Sequence, residues 1–347
     1  MSIDVAIAGG GPAGMCAAIA CAQRGLSVQI YEPRSGPLDK ACGEGIMPAG
    51  VRILEELGVQ LEGMPFHGIR YVQGTHIAEG RFARSPGLGV RRIHLAQRLR
   101  EACLAAGVRF VDKGLRDIPD PHRATLDLPA GKARHLVIAD GLQSPLRKKM
   151  GLERRSRWPA RMGLRRHYRT QPWTDHVEVH WSDIGEAYVT PIAADEVGVA
   201  VLLRRTALPD GPNQQRFDDL LVKFPAILER LGEPVSSVRG AGPFAVSSAA
   251  RVKGRCLLVG DAAGYLDPLT GEGIRMAAEC APALAHAVYT GDLDSYERAY
   301  KRITRPYYRW TGMLLALALG RWTRRAIVPV ASAVPGLMHT TVQALGE

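Results

Sequence analysis

The chain opens on an apolar run, residues 3–8 (I-D-V-A-I-A), whose continuity predicts a strand buried on both faces in a parallel sheet. Gly9-Gly10-Gly11-Pro12-Ala13-Gly14 follows, then a helical stretch over residues 15–24, then a second strand over 27–31 that ends at Glu32. Two later apolar runs also end in acids, one at Asp140-Gly141 with Ser144 and Arg147 beyond it, the other at Gly260-Asp261. Between these runs, residues 162–169, 177–181, 187–192 and 197–203 alternate or cluster in β fashion with turns between them, which predicts an antiparallel sheet. An Ala-rich helix is expected over 275–289. Residues 313–319 form an apolar run bracketed by Trp310, Trp322 and arginines, the pattern of an amphipathic helix pair.

The first turn has a chemical reading. Gly9 permits a tight bend, Gly11 lets backbone approach a pyrophosphate, and Gly14 lets helix and strand pack closely, while the N-terminus of the following helix presents free N–H groups to the phosphates; Pro12 and Ala13, in the same turn, belong to the candidate cofactor site. Glu32, about 20 residues on, stands where an acid hydrogen-bonds ribose hydroxyls. Pro33 and Arg34 continue that turn and belong to the same candidate site. An acid here favours FAD or NAD over NADP. Acid-bearing ends on two further strands fit a cofactor too long for one glycine loop. No second glycine fingerprint follows Asp140, so NAD(P)H is expected to bind transiently, or a reduced carrier to deliver electrons.

Composition narrows the classes. At 347 residues the chain exceeds the usual size of one core, and 46% apolar with 23% charged residues excludes disorder and a multi-span membrane protein. The six cysteines form no C-x-x-C pair, which argues against a metal site or a disulfide framework. Of the net charge of +11, residues 301–347 supply +6, with seven Lys or Arg against one acid. No nucleic-acid module is visible; three roles stay open for the basic tail, resting on an anionic membrane, closing a lipophilic tunnel, or packing its apolar face on the dinucleotide-binding domain. The absence of a basic segment or cleavage site near Ile3 predicts a cytoplasmic protein, peripheral to the membrane if the tail docks there.

The glycine fingerprint, A-D-G-x-x-S at 139–144 and G-D-A-A at 260–263 occur in the order seen in the flavoprotein hydroxylases, and the chain resembles that p-hydroxybenzoate hydroxylase-like family along nearly its whole length. Within it, K-A-C-G-E-G at 40–45 and the stretch 260–274 resemble the geranylgeranyl reductase branch. The resemblance implies an α/β fold: a Rossmann-type FAD-binding domain (residues 1–60, 88–158 and 250–300), an inserted antiparallel β-sheet substrate domain (61–87 and 159–249) and a helical C-terminal region (301–347). It implies that Asp261 contacts the ribityl chain, that Asp140 with Gly141 holds the dinucleotide region, and that Arg92, in R-x-x-L-x-x-x-L, is the cofactor-side arginine. It also implies that the loop with Cys42 and Gly43 lies over the flavin face. Gly260, Gly271, Glu272, Gly273 and Ile274 complete the expected cofactor contacts.

Cys42, Glu272 and Tyr188 are the candidate catalytic residues, with Lys40 expected to favour a thiolate at Cys42 and Glu44 to oppose it. Two enzymatic outcomes are open to reduced flavin. Oxygen addition gives a hydroperoxide that hydroxylates a hydrophobic aromatic or polyketide-like molecule, the outcome placed first. Hydride delivery saturates double bonds of a prenyl or lipid chain, the alternative. The chain lacks the reductase branch's Y-x-W-x-F-P-K, showing Y-V-T-P-I at 188–192, and lacks the halogenase W-x-W-x-I-P. A flavin-binding protein without turnover is the third reading.

Overall fold

The structure, a computed structural model, describes residues 2–346. Strands apolar on both faces are stable only in a sheet covered on both sides. Five strands pair in parallel in the order Cys256–Leu258, Gly131–Ile138, Ser2–Ala8, Val28–Tyr31 and Arg109–Val111, the last being a partly exposed edge strand. Val252–Lys253 and Leu126–Leu128 join antiparallel to Cys256–Leu258 and Gly131–Ile138. Val5, Ile7, Ile30, Leu136 and Leu257 lie fully buried in this sheet, each stabilising the fold by about 1.5–3 kcal/mol. The helix Pro12–Ala22 packs between Arg92–Ala105 and Gly273–Thr290. It starts three residues earlier than the apolar pattern indicates, because proline's fixed φ suits the first helical position, where no N–H is needed.

The second sheet runs Arg239–Ala241, Arg161–Arg169, Glu196–Arg204, Gly185–Ala193, Val177–Trp181, Gly68–Gln73 and His76–Arg81. It is antiparallel except where Val177–Trp181 meets Gly68–Gln73. Successive side chains on a strand face opposite ways. Accordingly Ala187, Val189, Val199 and Val201 pack with Phe217 and Leu220 in one core, while Tyr188, Thr190, Ala200 and Leu202 line a cavity on the other side.

Three helices end the chain: Leu293–Leu319, Arg321–Ala333 and Pro335–Gly346. This corrects the boundary expected at residue 301, which falls inside one unbroken 27-residue helix. That helix begins where the Asp292 side chain accepts a hydrogen bond from Ser295 N at 3.2 Å, whereas the jump in charge starts later. The two final helices pack on His76–Arg81. A buried ionic network pins them: Arg324 donates to Glu186 at 2.8 Å, and Arg161 binds both Glu186 and Asp267, the latter at 2.9 Å. Breaking one partner of such a network costs about 3–5 kcal/mol. Among the described residues, no helix is long and apolar enough to cross a membrane.

Candidate active site

The C-terminal ends of four parallel strands are tied together by three hydrogen bonds, Gly9 N to Tyr31 O at 2.9 Å, Ala139 N to Ala8 O at 2.8 Å and Val259 N to Ile138 O at 3.0 Å. Ligands bind at such carboxyl ends of a parallel sheet. A cavity of about 570 Å3 opens there and continues under the second sheet, within the range of about 300–1,000 Å3 usual for small-molecule sites.

At the glycine loop, Gly9 has φ of +111°, and a Cβ there would meet Ala139 O at 2.4 Å. A Cβ on Gly14 would meet Gly9 O at 2.1 Å. Gly11, Pro12 and Ala13 line the cavity, and the helix that they start has no side-chain cap. Its first N–H groups therefore face the opening. Glu32 does not line the cavity: it accepts from Gly10 N at 2.9 Å and pairs with Arg34 at 2.7 Å. Arg34, with Pro33 beside it, also lies outside the lining.

Asp140, Gly141, Gly260 and Asp261 all line the cavity. Ser144 caps the short helix Pro145–Lys149, and the fully buried Arg147 donates to Ala262 O at 3.2 Å and Leu142 O at 3.2 Å. Those two residues act as a clamp joining the two acid-bearing loops. Burial holds both Asp140 and Asp261 above the ordinary carboxylate range, with Arg147 opposing. Asp140 Oδ1 and Arg92 Nη1 are buried without a hydrogen-bond partner. Arg92 is no solvated helix start: it is buried, lines the cavity, and donates its backbone N–H to Glu44 Oε1 at 2.8 Å.

Cys42 and Gly43 line the same cavity from the 39–45 loop. Burial and the Glu44 carboxylate push the Cys42 thiol up, with Arg92 and Arg165 opposing. The Lys40 expectation therefore fails. Burial and the neighbouring Arg34 and Arg92 push Lys40 itself down, and the charges that oppose the rise of the thiol are Arg92 and Arg165. Thr190 donates to Gly43 O at 2.8 Å, fixing the loop to the second sheet.

Gly271, Gly273 and Ile274 line the cavity at the N-terminus of Gly273–Thr290, but Glu272 does not. Its carboxylate turns to Arg275 at 3.2 Å and is pushed by burial up to about 7. It stands as a buried helix-end acid, which corrects the expectation that it lines the reaction site. Tyr188 does line the site, its hydroxyl donating to Leu269 O at 3.1 Å.

Sequence reasoning missed the cluster behind Cys42. His167 Nε2 lies 2.6 Å from Glu44 Oε2, and Arg165 pairs with Asp39 and reaches His167 Nδ1 at 3.1 Å. Only Glu44, in the quoted K-A-C-G-E-G, carried a signal. On the substrate side the walls are Ile69, Tyr71, Val177, Val179, Leu202 and Phe244. The nearby polar groups of Tyr188, Thr190 and Gln143 are engaged with backbone oxygens.

These residues fit FAD. The open space at Gly11, the unpartnered Asp140 and Arg92 atoms and the uncapped helix end form polar sites at the dinucleotide end, and two glycine-lined loops leave flat access beneath the apolar sheet. Residues 4–36 match the family described as FAD dependent oxidoreductase. The chain is 28% identical over 328 residues to the menaquinone reductase of Mycobacterium tuberculosis, covering 84% of this chain and 78% of that one. It is 27% identical over 338 residues to digeranylgeranylglycerophospholipid reductase 1 of Methanopyrus kandleri, covering 89% and 86%. The flavin-dependent halogenase CmlS superposes with a TM-score of 0.81 at 22% identity, covering 94% of this chain and 67% of that one. The chain has the flavoprotein hydroxylase fold, with the FAD dependent oxidoreductase match confined to its glycine-loop segment.

Proposed function

We propose that the protein is a reductase that adds two hydrogens across a carbon–carbon double bond of an apolar, prenyl-type lipid chain. The observation that carries this reading is the Cys42 thiol lining a cavity whose substrate-side walls, Ile69, Val177, Val179, Leu202 and Phe244, are apolar; burial favours the thiol's protonated form. Saturating an alkene needs a hydride at one carbon and a proton at the other. Bound, reduced FAD supplies the hydride. Cys42 gives up its proton to the second carbon, and the thiolate left behind is reprotonated from solvent. Tyr188, held by Leu269 O, and the Val177–Val179 wall position the chain. Gly11, Arg92, Asp140 and Asp261 hold the dinucleotide. Electrons enter from NAD(P)H or a reduced carrier.

Aromatic hydroxylation is the weaker reading, because a ring hydroxyl is activated by a base and the substrate-side walls are apolar, with the Tyr188 hydroxyl committed to Leu269 O. The relatives named as reductases support the same order. The test is to mix anaerobically reduced holoenzyme with a geranylgeranyl lipid and follow flavin reoxidation. Substrate-dependent reoxidation without oxygen is expected, and its absence would overturn the reading.

A further inference from the structure

A second cleft lies outside the FAD cavity, between the long helix Leu293–Leu319 and the strand Val246–Ser248. It is lined by Arg154, Arg251, Lys301, Arg305 and Arg309 and by no acid. Glu297 neutralises Arg251 and also contacts Lys301. Among the described residues, no carboxylate pairs with Arg154, Arg305 or Arg309. Three guanidiniums with nothing to bind, set around one concavity beside the Ser247 hydroxyl, match the oxygens of a phosphate group.

The surface next to the cleft is apolar. Arg305, Arg309 and Met313 follow at four-residue spacing and so form one strip of the helix; Trp310 and Leu317, seven residues apart, form the adjoining strip. Met313 and Trp310 are about half exposed, and Trp322, at the start of the next helix, is 75% exposed. Val330 and Val334 extend the exposed apolar surface. Tryptophans and aliphatic side chains flanked by arginines suit the boundary between lipid headgroups and acyl chains. The buried Arg324–Glu186 pair fixes this face relative to the second sheet, and the last two helices pack on the strand that neighbours Gly68–Gln73, whose Ile69 and Tyr71 line the FAD cavity.

We propose that this face docks on an anionic membrane surface, with the phosphate of a lipid headgroup seated between Arg154, Arg305 and Arg309. The inference stands on charge and exposure alone and does not depend on the reaction assigned above. It is tested with FAD-loaded full-length protein and vesicles of phosphatidylglycerol or of phosphatidylcholine alone, by co-sedimentation. Binding to phosphatidylglycerol vesicles that weakens as salt rises is expected. The Arg154→Ser/Arg305→Ser/Arg309→Ser variant should bind at least tenfold more weakly, with unchanged flavin content and melting temperature. Trp322→Ser should also weaken binding.

A control that removes three exposed arginines elsewhere, Arg24→Ser/Arg52→Ser/Arg109→Ser, should bind like the wild type; an equal loss would show that net charge alone acts and would overturn the site. Titration with inorganic phosphate separates the two sources of the group: phosphate binding at these arginines without vesicle binding would overturn the membrane assignment. Failure of the wild type to bind either vesicle would do the same.

Discussion

His167 Nε2 meets Glu44 Oε2 at 2.6 Å in a fully buried pair, and the Glu44 backbone N–H points at Cys42 Sγ from 3.4 Å. Arg165 donates toward His167 Nδ1, so Nε2 carries the proton that binds Glu44. The negative charge of the Glu44 carboxylate beside the thiol raises the thiol's pKa. Glu44→Gln removes that charge and should lower the thiol's pKa. The pH dependence of Cys42 alkylation by iodoacetamide, read by peptide mass, should shift to lower pH. An unchanged or upward-shifted profile would contradict the role of Glu44.

If Cys42 gives the proton, removing it should separate binding from turnover. Cys42→Ala should keep its FAD and lose about 10²–10⁴-fold in turnover, the usual contribution of a positioned acid. Cys42→Ser should retain flavin equally well. Loss of flavin together with activity would make the residue a structural filler.

Arg92 presents an unpartnered buried Nη1 to the cavity. A charge-assisted hydrogen bond is worth about 1.5–3 kcal/mol, so Arg92→Met should weaken FAD binding by roughly ten- to a hundredfold. Titration calorimetry on the apoprotein measures this. Equal affinity in the two proteins would remove Arg92 from the cofactor site.

Glu272 carries a pH signature. Burial raises its carboxyl to about 7, against an ordinary value of 4.5, so the folded state favours the protonated form. Its contribution is fully present below about pH 4.5 and is lost as pH rises through about 7. The size is about 3 kcal/mol at 1.36 kcal/mol per unit. Glu272→Gln should flatten the dependence of denaturant stability on pH over that window. A wild-type-like slope in the variant would contradict the shift.

Local signals made much of the fold legible. Unbroken apolar runs marked the parallel strands because both faces are buried, and the residues 177–181 read from alternation coincide with the strand Val177–Trp181. The Asp140 and Asp261 turns were legible because they end such runs. The Glu44–His167 pair was not, since its members lie 123 residues apart and meet only through the register of Arg161–Arg169 over the 39–45 loop. Glu272 misled for a related reason: glycines on either side announce close backbone approach and say nothing about where the side chain between them turns. The tail boundary at 301 followed charge, while the helix had already started at Leu293.

The most direct test of alkene reduction is the mass of the product. FAD-loaded protein, reduced and held without oxygen, is incubated with a geranylgeranyl lipid, and a parallel sample receives labelled oxygen gas. A product heavier by two hydrogens in both samples, with no labelled oxygen, is the predicted result. A product formed only with oxygen and carrying the label would contradict the account.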